Sequence, residues 1–342
     1  SSLLSIFQTV LRADQRAKLF VTFELTQVYG SLIVGLCLVV LFHFGIEGIL
    51  WGSLIVMTIV NVMIYWWLMR QGIQVKTREV SLFTLREFAS YGIPACASTI
   101  GTWILSVSDR YLIEYFRGTT EVGLYSIGYN LADKSINLMV ASLMLAIGPV
   151  LINTWESDNR RYTASLLGQC TRLMVLLGVP MVTGLTVLST PIFQVLTTEA
   201  YLSGAQVLSW VSLGSLSYGF SLLAYTGLIL AKKTTIMARN YLLAGALNVI
   251  LNLIFLPRFG FMAAAVNTAV AYTALLILNI FSATKYLPWL FPWRSLWNAI
   301  VAAGIMAVAL GGLATCVRPA FVALVSSVLI GTAVYLVMLA LL

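Results

Sequence analysis

The chain has 342 residues, 60% of them hydrophobic and only 9% charged, with a formal net charge of +8 and a mean hydropathy of +0.95. A charged share so far below the roughly 25% of soluble domains excludes a water-soluble globular protein, because a folded domain still needs a polar exterior. A single histidine, His43, leaves no material for a histidine-based metal site, and the basic residues lie scattered over loops and not on one element, so the positive charge does not call for nucleic acid.

The chain opens Ser1-Ser2 inside an apolar stretch (Leu3, Leu4, Ile6, Phe7, Val10) with no basic n-region and no cleavage site. This reads as the tail of a spanning helix and not as a signal peptide, and the expectation is a fragment that lacks several N-terminal helices. Apolar runs of about 20 residues, the length that crosses ~30 Å of hydrocarbon at 1.5 Å per residue, then recur ten times. They fall at 20–42, 46–69, 88–108, 123–152, 164–190, 203–230, 241–256, 260–282, 295–315 and 320–342. Pro149, Pro180 and Pro191 are expected to kink or end the long fourth and fifth spans. The fold class is an all-α polytopic membrane protein. Cys37, Cys96, Cys170 and Cys316 each lie in an apolar run without CxxC spacing and are read as buried small hydrophobes.

The loops alternate in charge. One side carries Arg12, Arg16, Lys18, Arg70, Lys76, Arg78, Arg86, Arg160, Arg161, Lys232, Lys233, Arg239, Lys285 and Arg294, fourteen in all; the other carries Arg110, Arg117, Arg258 and Arg318. The excess marks the first side as cytoplasmic. The chain also repeats itself. Residues 10–56 and 229–271 each read as a basic loop, a span, a tight corner ("HFGIEG" or "RFGFMA") and a second span, with Gly45 and Gly260 at the same place in the corner, where a short turn favours φ > 0. The copies lie six spans apart, so they share one orientation and relate by an axis along the membrane normal.

No nucleophile elbow, HExxH, P-loop or Ser/His/Asp set appears, so the chain is not read as an enzyme and no cofactor is expected. What remains is polar residues at helical spacing inside spans. Ser126, Asn130, Lys134 and Asn137 form one stripe of the fourth span with Asp133 beside it. The third span carries Ser98, Thr102, Ser106 and Asp109, the fifth Ser165, Gln169 and Arg172, the first Glu24, Gln27 and Ser31, and the seventh Asn248 and Asn252. A charge at the bilayer centre costs roughly 2.5–3.5 kcal/mol on insertion scales, so such groups turn toward other helices or a watered cavity. Many of the neutral ones are expected only to hydrogen-bond neighbouring helices. Lys134, too deep to snorkel, is either a substrate-facing cation or half of a structural pair with Asp133 or Glu24; Arg172 lies near enough to the cytoplasmic end to snorkel.

The stretch "YGIPACASTIGTWILSVSDRYLIEYFRGTTEVGLYSIGYNLADK" (91–134) resembles the start of the second lobe in bacterial polysaccharide-exporter flippases, of the multidrug/oligosaccharidyl-lipid/polysaccharide exporter superfamily. The resembling elements are Gly92-Ile93-Pro94, Asp109-Arg110-Tyr111, Gly118 and Val122-Gly123-Leu124-Tyr125, joined by the corner at Gly260. "DRY" here falls on the sparsely charged side of a many-span chain and is not a receptor signature. The resemblance implies a two-lobe bundle of 12–14 spans in the complete protein. Residues 1–70 would end the N-terminal lobe, 71–283 would form the C-terminal six-helix lobe, and 284–342 would add two helices.

It further implies alternating-access transport of an undecaprenyl-diphosphate-linked oligosaccharide, such as an O-antigen repeat unit, across the bacterial inner membrane. Partners would be membrane lipids and the polysaccharide polymerase and chain-length machinery. Lys134, Arg172 and Arg110 are the expected diphosphate contacts, Asn130, Asn137 and Asn248 the sugar path, and Asp133 and Glu24 the candidates for ion coupling. The alternative is a cation-coupled multidrug exporter of the same superfamily, which would want an acidic cavity; the in-span acids (Glu24, Asp133) and bases (Lys134, Arg172) instead balance. A membrane glycosyltransferase would need a large extracytoplasmic loop bearing carboxylates.

Overall fold

The computed structural model describes residues 17–70, 82–313 and 320–342. The partial helix near Val10, the basic residues Arg12, Arg16, Lys76, Arg78 and Arg318, and Cys316 lie outside them. Every regular element among the described residues is helical, and ten long helices coincide in order with the ten apolar runs. Nine are long and apolar enough to cross a membrane; the tenth, over the third run, is diluted by Ser98, Thr99 and Thr102. The molecule is therefore an all-helical polytopic membrane protein. Its large outward apolar side chains, such as Leu32, Leu36, Ile59 and Val308, are those a helix turns to hydrocarbon.

The chain divides into two compact units, one through Thr84 and one from Leu85. The first is the hairpin α1 (Ala17–Val40) and α2 (Gly45–Arg70). Its corner turns at Gly45 with φ +59°. The helices meet at Gly35 and Gly52, so closely that a Cβ on Gly52 would stand 2.5 Å from the Gly35 backbone. Small residues thus take the place of hydrophobic driving force, which lipid does not supply between helices. Val56, Val60 and Ile64 close the remaining seam.

The second unit begins within the first turn of α3 (Leu82–Arg117), turns at Gly118 (φ +87°), and continues as α4 (Thr119–Glu156). A tight turn capped by Asn159, whose side chain accepts the Tyr162 N–H, leads to α5 (Arg160–Val187). Pro94, Pro149 and Pro180 sit inside these helices and do not end them. The fifth span stops at Val187, ahead of Pro191, and a short α6 (Ser189–Leu196) and a 3-10 turn (Glu199–Gly204) follow. Then come α7 (Ala205–Leu230), α8 (Thr234–Phe259), α9 (Phe261–Ala283), α10 (Trp293–Leu313) and α11 (Ala320–Leu341).

α7 is the most enclosed span, surrounded by α4, α5, α8 and α9. The pair α10–α11 packs on α5 and α6. The α8–α9 corner turns at Gly260 with φ +65°, the same form as the corner at Gly45. Of the described cysteines only Cys170 is buried as expected; Cys37 and Cys96 are exposed on apolar helix faces, and all three are free thiols.

Candidate functional site

α3 positions most of the polar chemistry of the second unit, because its hydroxyls and its Asp109 recur at helical spacing along one face. Ser98, Thr102 and Ser106 open onto a recess of about 600 Å³ whose other walls are Tyr218 and Tyr225 of α7 and Tyr241 of α8. Each hydroxyl donates to a carbonyl of its own helix, at 3.1 Å (Ser98 to Pro94), 3.0 Å (Thr102 to Ser98) and 3.3 Å (Ser106 to Trp103). Their lone pairs stay available to accept from a ligand's hydroxyls. The tyrosine rings form a ladder, with Tyr218 stacked near Tyr272 (5.0 Å between centroids) and Tyr225 edge-on to Tyr241 (6.0 Å).

One turn beyond the recess, Asp109 is fully buried. Its carboxylate accepts three hydrogen bonds of 2.6 Å each: from the hydroxyls of Tyr125 on α4 and Thr268 on α9, and from the amide of Asn252 on α8. Asn267 donates to Asn252 (2.9 Å), and Asn248 accepts from Asn252 (3.3 Å) and Ser108 (3.2 Å). Among the described residues Asp109 has no ion-pair partner, so a buried anion is held by neutral dipoles from three helices. Such a group is neutralised by a proton or by a small cation that takes oxygen ligands. The Nδ2 of Asn248 is buried without a partner among the described residues, which leaves the network unfinished on that side. Among the described residues no cluster of three His, Cys, Asp or Glu could hold a metal ion.

The stripe on α4 behaves differently. Tyr125, Tyr129, Ala132, Ile136 and Val140 turn into the bundle, which leaves Asn130 and Lys134 exposed and Asn137 half-buried on the accessible face. Asp133 accepts from Asn137 (2.8 Å) and from Ser215 of α7 (3.1 Å), so its partners are neutral, and the pair weighed for it with Lys134 is not formed. Lys134 makes no hydrogen bond or ion pair among the described residues. Arg110 lies over the Tyr129 ring at 4.6 Å, donates to the Ser106 carbonyl at 2.6 Å, and reaches Asn130 at 3.3 Å. It is thereby held at the edge of the Asn130–Lys134 face.

The structure thus brings together Arg110, Asn130, Asp133, Lys134 and Asn137 on α3 and α4. Within the second unit it places Asn248 and Arg172 elsewhere, and Glu24 belongs to the first unit. Asn248 is sealed in the Asp109 network and is not among the residues lining the recess. Arg172 stands exposed in a separate recess with Arg294 of α10. Glu24 is half-buried and engaged on α1 of the first unit. In the sequence Asp109 and the Asn248/Asn252 pair stand as separate stripes, and nothing there ties them to Tyr125, Asn267 and Thr268, which complete one network. An apolar groove of about 570 Å³, lined by Leu173, Leu177, Pro180, Met306, Val328 and Leu336, runs between α5, α10 and α11.

Comparison with known proteins gives a consistent picture. Residues 1–206 match the family described as polysaccharide biosynthesis protein, and residues 124–334 match the lipid II flippase MurJ family. An uncharacterized membrane protein of Methanocaldococcus jannaschii is 22% identical over 312 residues, covering 89% of this chain and 61% of that protein. A probable low-salt glycan biosynthesis flippase, Agl15 of Haloferax volcanii, is 22% identical over 315 residues, covering 92% of this chain and 64% of its own length. The chain thus spans less than two thirds of either relative. The lipid II flippase MurJ in an inward closed conformation superimposes with a TM-score of 0.75 at 20% identity, over 98% of this chain and 70% of that one. The Vibrio cholerae MATE transporter VcmN does so with 0.61 at 19% identity, over 82% and 66%. These likenesses show the fold.

Proposed function

The chain belongs to the polysaccharide biosynthesis and MurJ flippase family of the multidrug/oligosaccharidyl-lipid/polysaccharide exporter superfamily, a family of transporters and not of enzymes, and from that premise we propose that it moves a lipid-linked oligosaccharide between membrane leaflets. The physical demand is a path for a diphosphate and its sugars, which cannot cross hydrocarbon unaided, while the polyprenyl chain stays in lipid. The observation that carries the reading is the α4 face on which Lys134 stands between Asn130 and Asn137, unpaired among the described residues, with Arg110 at its edge. Arginine and lysine suit the diphosphate, and amides, serine and threonine hydroxyls and tyrosine faces suit sugars. The apolar groove along α5 offers a berth for the hydrocarbon chain.

In this reading Lys134 and Arg110 contact the diphosphate, Asn130 and Asn137 the sugars, and Asp133 stays anchored to Ser215. Coupling falls to Asp109, whose neutralisation would loosen or tighten three helices at once. The carrier is an undecaprenyl diphosphate if the host is bacterial, with an O-antigen or other surface repeat unit as cargo and the inner membrane as the site; both relatives cited above are archaeal. Drug export, the other activity within the superfamily, would want an acidic accessible face, whereas the acid nearest that face, Asp133, is held by Asn137 and Ser215.

The test is Lys134→Ala in the full-length protein, reconstituted in vesicles with a fluorescent polyprenyl-diphosphate oligosaccharide. Flipping falls at least about tenfold while Lys134→Arg retains most of it, as expected when a desolvated charge-assisted contact is lost and then restored. Unchanged flipping in Lys134→Ala would remove this lysine from the path.

A further inference from the structure

Arg172 and Arg294 occupy one recess of about 410 Å³ on the side of the second unit, between α5, α10 and α11. Ser295 and Asn298 add polar atoms to its lining, and Leu176 and Leu339 add apolar ones. Two guanidinium groups sharing so small a space repel each other, and neither has a hydrogen bond or ion pair with any described residue. Leu342 also lines the recess, its main-chain oxygen accepting from the Asn298 amide at 3.2 Å, and no side-chain carboxylate is among the described lining residues. The pair is also held in place by the fold. The residue before Arg172, Thr171, accepts a 2.8 Å hydrogen bond from the indole of Trp289, which fastens the α9–α10 loop to α5. Trp289, Phe291 and Trp293 then pack ring on ring, with centroids 5.4 and 4.7 Å apart, and deliver Arg294 as the next residue.

The level of the recess in the membrane follows from its neighbours. Trp293 and Trp297 are 73% and 69% exposed on the same turns of α10, and tryptophan collects where hydrocarbon meets headgroups. The recess belongs to the basic-loop side of the molecule. Two arginines at headgroup depth, unpaired among the described residues and flanked by leucines, form a fork for a phosphate group, since guanidinium binds phosphate oxygens in pairs.

We infer that Arg172 and Arg294 bind the phosphate of a membrane lipid headgroup, at a site apart from the α3–α4 face. Two lipids carry that chemistry, a bulk anionic phospholipid and the polyprenyl diphosphate itself. The site does not depend on the transport reading, because its occupancy is read by binding alone.

The test is native mass spectrometry of the purified full-length protein in detergent, supplied in turn with phosphatidylglycerol, a polyprenyl diphosphate, and a neutral glycosyl diacylglycerol. The wild type retains a phosphate-bearing lipid and not the neutral one. Arg172→Gln with Arg294→Gln lowers that retention by about tenfold, and Arg172→Lys with Arg294→Lys keeps a measurable part, because a point charge replaces the fork. Arg160→Gln with Arg161→Gln removes the same charge from an exposed helix start and leaves retention unchanged. Retention of phosphatidylglycerol assigns the site to bulk lipid; retention of the diphosphate alone assigns it to the cargo. Equal loss in the Arg160/Arg161 variant, or equal retention of the neutral lipid, would overturn the inference.

Discussion

Asp109 is the side chain whose neighbours matter most. Three donors point at it from three helices, and each would be stranded in an apolar interior if the carboxylate were removed. Leaving a buried donor unsatisfied costs about 1–3 kcal/mol. Asp109→Ala should therefore lower the thermal unfolding temperature of the detergent-solubilised protein clearly, and Asp109→Asn, which keeps one carbonyl acceptor, should lower it less. Equal unfolding temperatures for wild type and Asp109→Ala would show that the network does not hold the helices. Little of this could be read from the sequence. Asp109 meets Asn252 and Thr268 across separations of 143 and 159 residues, and a periodicity argument sees only one helix at a time. Lys134 was legible for the opposite reason, since a lone cation deep in an apolar run is conspicuous without knowledge of its surroundings.

Among the elements, the two glycine corners offer a paired measurement. Gly45 and Gly260 share a positive φ, so a side chain at either meets backbone strain of roughly 1 kcal/mol or more. The surroundings differ. A Cβ at Gly45 meets nothing within 4 Å, whereas one at Gly260 lies 3.0 Å from both the Arg117 guanidinium and the Glu121 carboxylate. Glu121 there accepts the Phe261 N–H at 3.1 Å and pairs with Arg117 at 3.4 Å. Gly260→Ala is thus expected to destabilise more than Gly45→Ala in denaturant or heat titration; a reversed order would mean that this contact carries no weight.

The spans themselves were readable because twenty-residue apolar runs leave the backbone no option but helix in lipid. The departures from the apolar runs are local. α6 and the 3-10 turn are too short to show a period, and α3 and α8 outrun their apolar stretches, α3 to Arg117 and α8 from Thr234 through Pro257 to Phe259.

For the molecule as a whole, charge bias sets an orientation that labelling can check. In a variant whose native cysteines are replaced by serine, a cysteine at Asp158 should react with a membrane-impermeant maleimide from the cytoplasmic side and one at Gly118 only from the opposite side. Labelling of both from one side would invert the assigned topology. The same long view gives the Asp109 clasp a mechanical meaning. Eleven residues separate it from Ser98 on the recess wall, a lever arm of ~16 Å along α3. Pivoting α3 by about 10° on that clasp would sweep Ser98 through ~3 Å, about the diameter of a water molecule. A change of one charge at the pivot would then set how wide the gap opens at the other end of the arm.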